Sequence, residues 1–325
     1  MQRVIGIALA CSLSGACSPD GTPVRHLTIA TGGTSGIYFP LGGTIARIYT
    51  ESLPGINASA QSTAGSLFNC GAVERGQADI AFTMADVAYQ AYHQGTDVHP
   101  EPYRNLRAMV PFYDNVVQLV TYRDSPIETV ADLRGKRVGV GAPGSGTDFN
   151  ARRILEAYGL GYDDLQADYL SFSEIAQQLK NQTIDAGFVN ASYPVSAIMD
   201  LDASVGAKLV PIDAERAEVI RGLDPNYFPT LIPGGTYQSM PEDLPTIGVS
   251  NLLVCREGLE EDLVYELTKL LYERQSELEA THRAAGRLSL ARWRDVTIPL
   301  HPGAERFFRE QEEDEAGSGS TERQP

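Results

Sequence analysis

Cysteine is scarce in this chain of 325 residues: four are present, and one of them lies in an apolar N-terminal stretch. No CxxC pair occurs, and the five histidines stand apart at 26, 93, 99, 282 and 301, so no metal-ligand spacing arises and neither metal nor cofactor is expected. There is no GxxxxGK[ST], which excludes a P-loop, and the loops GGTSG and PGSGT both fail the GxSxG pattern of a nucleophile elbow. With no nucleophile, metal or general base to nominate, an enzyme is not expected. Positive charge is short too. Against 42 Asp and Glu stand 26 Lys and Arg, a balance of −16 with no basic stripe, which argues against nucleic acid as a partner. Beyond the first residues, no apolar run approaches a membrane span.

What is present is enough for two cores. Hydrophobic residues make up 42% of the chain, which excludes wholesale disorder, and its length suits two domains. Residues 1–16 combine one early Arg, a short apolar run and small residues, the pattern of a secretory signal. Ser14-Gly15-Ala16-Cys17 resembles a lipoprotein box with Cys17 as the acylated residue, while Ser14-x-Ala16 also satisfies ordinary cleavage. The expected location is therefore the periplasm, with lipid tethering through Cys17 or free solubility as the two routes. At the other end, 310–325 carries six acidic residues and one Arg without apolar neighbours, and reads as a disordered acidic tail. Cys70 and Cys255 read as two buried thiols in preference to a disulfide. The Arg and Glu residues of 283–294 read as a solvated face.

The chain says nearly the same thing twice. LTIATGGTSGIYF at 27–39 and VGVGAPGSGTDF at 138–149 are each a β-branched run, a Gly/Ser/Thr loop and the start of an amphipathic stretch. Each is followed by a second echo, GQADIAF at 76–82 and QTIDAGF at 182–188, so that Ser35-Gly36 aligns with Ser145-Gly146, Asp79 with Asp185 and Phe82 with Phe188. This predicts two α/β lobes on one plan. Facing helix N-termini, rich in backbone N–H groups and hydroxyls, would then form a cleft for a small anion. Apolar runs at 107–122 and 246–254 are expected to cross between the lobes as strands, a long helix is expected over 260–282, and Asp79 and Asp185 are expected to hydrogen-bond within the fold.

At TGGTSGIYFPLGG (31–43), STAGSLFN (62–69), GAPGSGT (141–147) and HPGAERFF (301–308) the chain resembles the TAXI family, the extracytoplasmic solute-binding proteins of TRAP transporters. The resemblance implies a two-lobed periplasmic-binding-protein type II fold with a hinge and an interlobe ligand cleft. Lobe 1 would comprise 24–117 plus 246–309, and lobe 2 would comprise 118–245. It implies capture of a small carboxylate, glutamate or 2-oxoglutarate-like, by a monomer that delivers it to sodium-coupled TRAP membrane permease subunits. A sensory module of the same fold, feeding a membrane signalling partner, is the alternative. The implied ligand shell is Ser35, Gly36 and Tyr38 from the first loop, Thr63, Ser66 and Asn69 from the second, and Met84, Ala85 and Asp86 after the third strand. Ser145, Gly146 and Thr147 would close from the other lobe, with Asn190, Ser192 and Tyr193 at its edge. Met84-Ala85-Asp86 replaces the Gln-Ser-Asp usual in the family, which shifts the expected ligand toward a less polar organic acid.

Overall fold

The computed structural model describes residues 24–321, so Cys17 and the expected signal segment lie outside the described residues. The chain opens with β1 (Arg25–Ala30), α1 (Tyr38–Ser52), β2 (Ile56–Gln61), α2 (Ser66–Glu74), β3 (Ile80–Met84) and α3 (Ala85–Gln94). A long strand, β4 (Leu106–Tyr122), leads to β5 (Arg137–Gly139), α4 (Gly146–Ala157), β6 (Gln166–Asp168), α5 (Phe172–Lys180), β7 (Ala186–Ala191) and α6 (Ser196–Val205). Then come β8 (Ala207–Val210), α7 (Ala214–Leu223), β9 (Tyr227–Ile232) and a second long strand, β10 (Leu244–Arg256). The chain finishes with α8 (Glu261–Glu273), α9 (Gln275–Thr281) and α10 (Pro302–Thr321).

The repeat in the sequence becomes a repeat in the sheet. β1 lies between β2 and β3, parallel to both, and β5 lies between β6 and β7, again parallel to both. The two aspartates of the repeat do the same work in each half. Asp79 Oδ2 accepts from the Thr28 amide and Asp185 Oδ2 accepts from the Arg137 amide, both at 2.8 Å, tying the third strand of each unit to its first. The Asp79 carboxylate also pairs with Arg256.

β4 and β10 join the units. β10 runs antiparallel to β3, β4 antiparallel to β7, and the two long strands pair with each other, giving one sheet of order β2-β1-β3-β10-β4-β7-β5-β6. Along β4 nearly every side chain is buried, which is why its sequence is a run of apolar residues instead of an alternation. In α1, Leu41, Ile45 and Ile48 recur at helical spacing and are fully buried, and Pro40 falls in the first turn, where a missing N–H costs nothing.

Two expectations differ from the structure. The long helix over 260–282 is divided at Arg274 into α8 and α9. The acidic tail is helical as far as Thr321, because its start is anchored: Phe307 and Phe308 are buried, and Phe308 stacks on Trp293 at 5.8 Å. Beyond them, Tyr265 donates to Glu310 at 2.6 Å, and Trp293 Nε1 donates to Glu312 at 2.9 Å. Cys70 and Cys255 are free, buried thiols; desolvation raises Cys70 to about 12 and also raises Cys255. Among the described residues no helix is long and apolar enough to cross a membrane.

Candidate functional site

Where the two units face each other lies a partly open cavity of about 180 Å³. The N-termini of α1, α2 and α4 point at it, one helix from each Gly/Ser loop and a third from the STAGS loop. Neither α1 nor α2 has a side-chain cap or an acidic residue in its first turn, so their free N–H groups and positive dipole ends are left unneutralised. α4 is capped by Ser145, whose Oγ accepts from the Asp148 amide at 3.1 Å, leaving the hydroxyl proton available to an acceptor. None of the described residues lining the cavity carries a charged side chain.

The walls divide by chemistry. Tyr38, Tyr113, Phe172, Ile37 and Met84 supply apolar surface. Tyr38 stacks on Phe82 at 4.8 Å, its hydroxyl donates to Asn251 Oδ1, and burial raises its pKa, so it is a neutral donor. Ser35, Thr63, Ser66, Ser145, Thr147, Asn115 and Asn190 supply polar groups. The side chains of Ser35 and Thr147 make no hydrogen bond among the described residues, so both hydroxyls are open to an occupant.

The halves touch directly beside the cavity. The Phe68 amide in α2 donates to the Gly144 carbonyl at 3.1 Å. At Gly146 the approach is so close that an added Cβ would lie 1.9 Å from Met84 Cε and 2.7 Å from Ser66 Oγ; only glycine fits.

Ten of the residues singled out from the sequence are brought together on this cavity: Ser35, Gly36, Tyr38, Thr63, Ser66, Met84, Ser145, Gly146, Thr147 and Asn190. Thr63, however, is spent on the loop itself: its Oγ1 faces the Thr31 carbonyl and Asn69 Oδ1, and accepts from the Gly65 amide. Asn69 is fully buried beneath that loop, donating to the carbonyls of Thr31 and Phe82 at 2.6 and 2.7 Å. Ala85 faces a separate recess beside Phe228. Ser192 and Tyr193 face another groove.

Asp86 does not line the cavity either. It is fully buried beneath it, where Tyr227 and Asn150 donate to its Oδ2 and Asn150 Oδ1 accepts in turn from Asn190. Desolvation raises this carboxyl to about 7, only partly opposed by the Tyr227 hydrogen bond.

Tyr113, Asn115, Ser171 and Phe172 line the cavity without having been anticipated. The polar Asp114-Asn115 step inside an otherwise apolar strand was the available signal for the first pair. Nothing in the sequence distinguishes Phe172 from an ordinary helix-start residue.

Residues 29–311 match the NMT1-like family. Among solved structures, a protein from Bordetella bronchiseptica RB50 is 15% identical, with 88% of this chain and 80% of that one covered at a TM-score of 0.52. A putative L-cystine ABC transporter protein from Listeria monocytogenes is 14% identical, with 81% and 97% covered at 0.50. The periplasmic aliphatic sulphonate binding protein SsuA from Escherichia coli is 17% identical, with 84% and 79% covered at 0.44. The fold is the mixed α/β architecture of periplasmic-binding-protein-like structures.

Proposed function

The chain belongs to the NMT1-like family, and from there we propose that it is an extracytoplasmic solute-binding protein that captures a small carboxylate for a membrane transporter. One observation carries the reading: a partly open cavity of about 180 Å³ lies between the two units, flanked by the N-termini of α1, α2 and α4 and lined by hydroxyls and aromatic rings but, among the described residues, by no charged side chain. Such a site favours one negative charge through N–H groups and dipoles, by up to ~2 kcal/mol per partly buried terminus, and needs no Arg fork. Met84, Phe172 and Tyr113 favour an apolar body on that acid.

The membrane partner we infer is a sodium-coupled TRAP permease, from the four TAXI-like motifs spread in order over 31–308. An ABC-type partner is the counter-reading, suggested by the likeness to the putative L-cystine ABC transporter protein of Listeria monocytogenes. The test is native mass spectrometry of protein purified without refolding. A co-purified carboxylic acid that is lost on mild unfolding is the expected result. A co-purified cation or neutral sugar would contradict the ligand class.

A further inference from the structure

Ser192 and Tyr193 face a groove of about 470 Å³ that is separate from the cavity. One wall is the 3₁₀ turn Arg283–Arg287, which follows α9; the other is the Ser192–Pro194 turn after β7 together with the Pro233–Thr236 loop between β9 and β10. The groove therefore spans both units, since α9 packs on α1 while β7 belongs to the second.

Arg283 and Arg287 both lie over the ring of Tyr193, with their guanidinium carbons 5.6 and 5.7 Å from its centroid. Arg283 is fixed by donating twice to the Tyr193 carbonyl, at 3.2 and 3.0 Å, and Arg287 donates to the Tyr193 hydroxyl at 3.3 Å. Among the described residues neither guanidinium has a carboxylate partner, in a chain with 42 acidic residues. Asp243, which accepts from the Gly234 amide at 2.8 Å, does not line the groove. Ser192 lines the same groove, and its hydroxyl makes no hydrogen bond among the described residues, so it is open to an occupant. Two like charges held on one ring without a counter-ion repel each other, and an oxyanion relieves that repulsion by accepting charge-assisted hydrogen bonds.

We propose that this groove is a second ligand site, taking a small oxyanion of the phosphate, sulfate or carboxylate class between the Arg283 and Arg287 guanidiniums and the Ser192 hydroxyl. Because its walls come from different units, the bound anion bridges them. It also fixes the turn that directly follows Asn190 and Ala191, two residues of the cavity wall.

The test is calorimetric titration of the full chain with inorganic phosphate, and then sulfate, at ionic strength matched with chloride. Wild type, the Arg283→Gln/Arg287→Gln variant and the cleft variant Ser145→Ala are compared. The expected pattern is binding in wild type and in Ser145→Ala, with affinity lower by about tenfold or more in the double variant. Any other pattern overturns the proposal. Phosphate uptake that survives the double variant, that disappears with Ser145→Ala, or that is absent from wild type at millimolar phosphate are such patterns. Should the double variant fail to fold by circular dichroism, Arg287→Gln alone replaces it, since that side chain is exposed and its hydrogen bond is to the Tyr193 hydroxyl.

Discussion

Gly146 marks a point of close approach between the two units, and a methyl group there collides with Met84 and Ser66. Gly146→Ala is therefore expected to hold the units apart and weaken ligand affinity by about tenfold or more, the usual scale of overpacking. Because the nearer collision is with the flexible end of Met84 while the Ser66 contact remains, adding Met84→Ala should recover part of the loss in a calorimetric titration. No recovery would mean that the units do not close on this contact. Asp86 makes a different prediction. Its carboxyl is raised by burial from an ordinary 3.8 to about 7, so between those values the folded chain holds a proton that the unfolded chain has released. Stability contributed at this residue is complete below the ordinary value and falls as pH rises through the window, by roughly 4 kcal/mol in all. Urea denaturation from acid to neutral pH should show wild type losing ground relative to Asp86→Asn as pH rises; parallel curves would refute it. At this scale the sequence was a partial guide. A single Gly/Ser/Thr loop before a helix is most often only a tight connection; the loop hydroxyls and glycines were singled out because the same loop recurs in both units. Asn69, Thr63 and Asp86 carry the same polar chemistry but spend it beneath the surface, and residue type alone does not reveal which way a side chain is engaged.

Elements were the more legible scale where period and composition agreed. β4 and β10 were visible as long apolar runs because both faces are buried, and the paired Asp79 and Asp185 were visible because each unit needs the same tie between its third and first strands. The helix α10 was not legible past its first turns. Acidic, Gly/Ser-rich composition argues for disorder, and what overrides it is tertiary: Phe307 and Phe308 in the core, then Trp293 and Arg294 reaching Glu312. Truncation after Glu310 should cost about 1 kcal/mol or less, since the Arg294–Glu312 pair is exposed and worth little. Truncation before Phe307 should cost several times more, on the scale of about 3–5 kcal/mol for each deleted buried Phe. The urea midpoints of the two truncations separate these outcomes, and equal midpoints would show that the aromatic anchor does not hold the helix.

At the scale of the whole molecule, β4 and β10 are continuous strands shared by both units, and relative motion of the units is expected to be bending about them. A bound solute is expected to hold the units together, and small-angle scattering should give a smaller radius of gyration with ligand than without. An unchanged radius would argue for a preformed, rigid site. The cavity between the units is proposed to take a small carboxylate through the α4 N-terminus. The most direct test is calorimetric titration with glutamate, 2-oxoglutarate and branched 2-oxo acids, in wild type and in Ser145→Ala. An acid with an apolar body should bind tightest, and Ser145→Ala should weaken it by about 1.5–3 kcal/mol through loss of a charge-assisted hydrogen bond. Tight glutamate binding that Ser145→Ala leaves undiminished would contradict both the ligand class and the site.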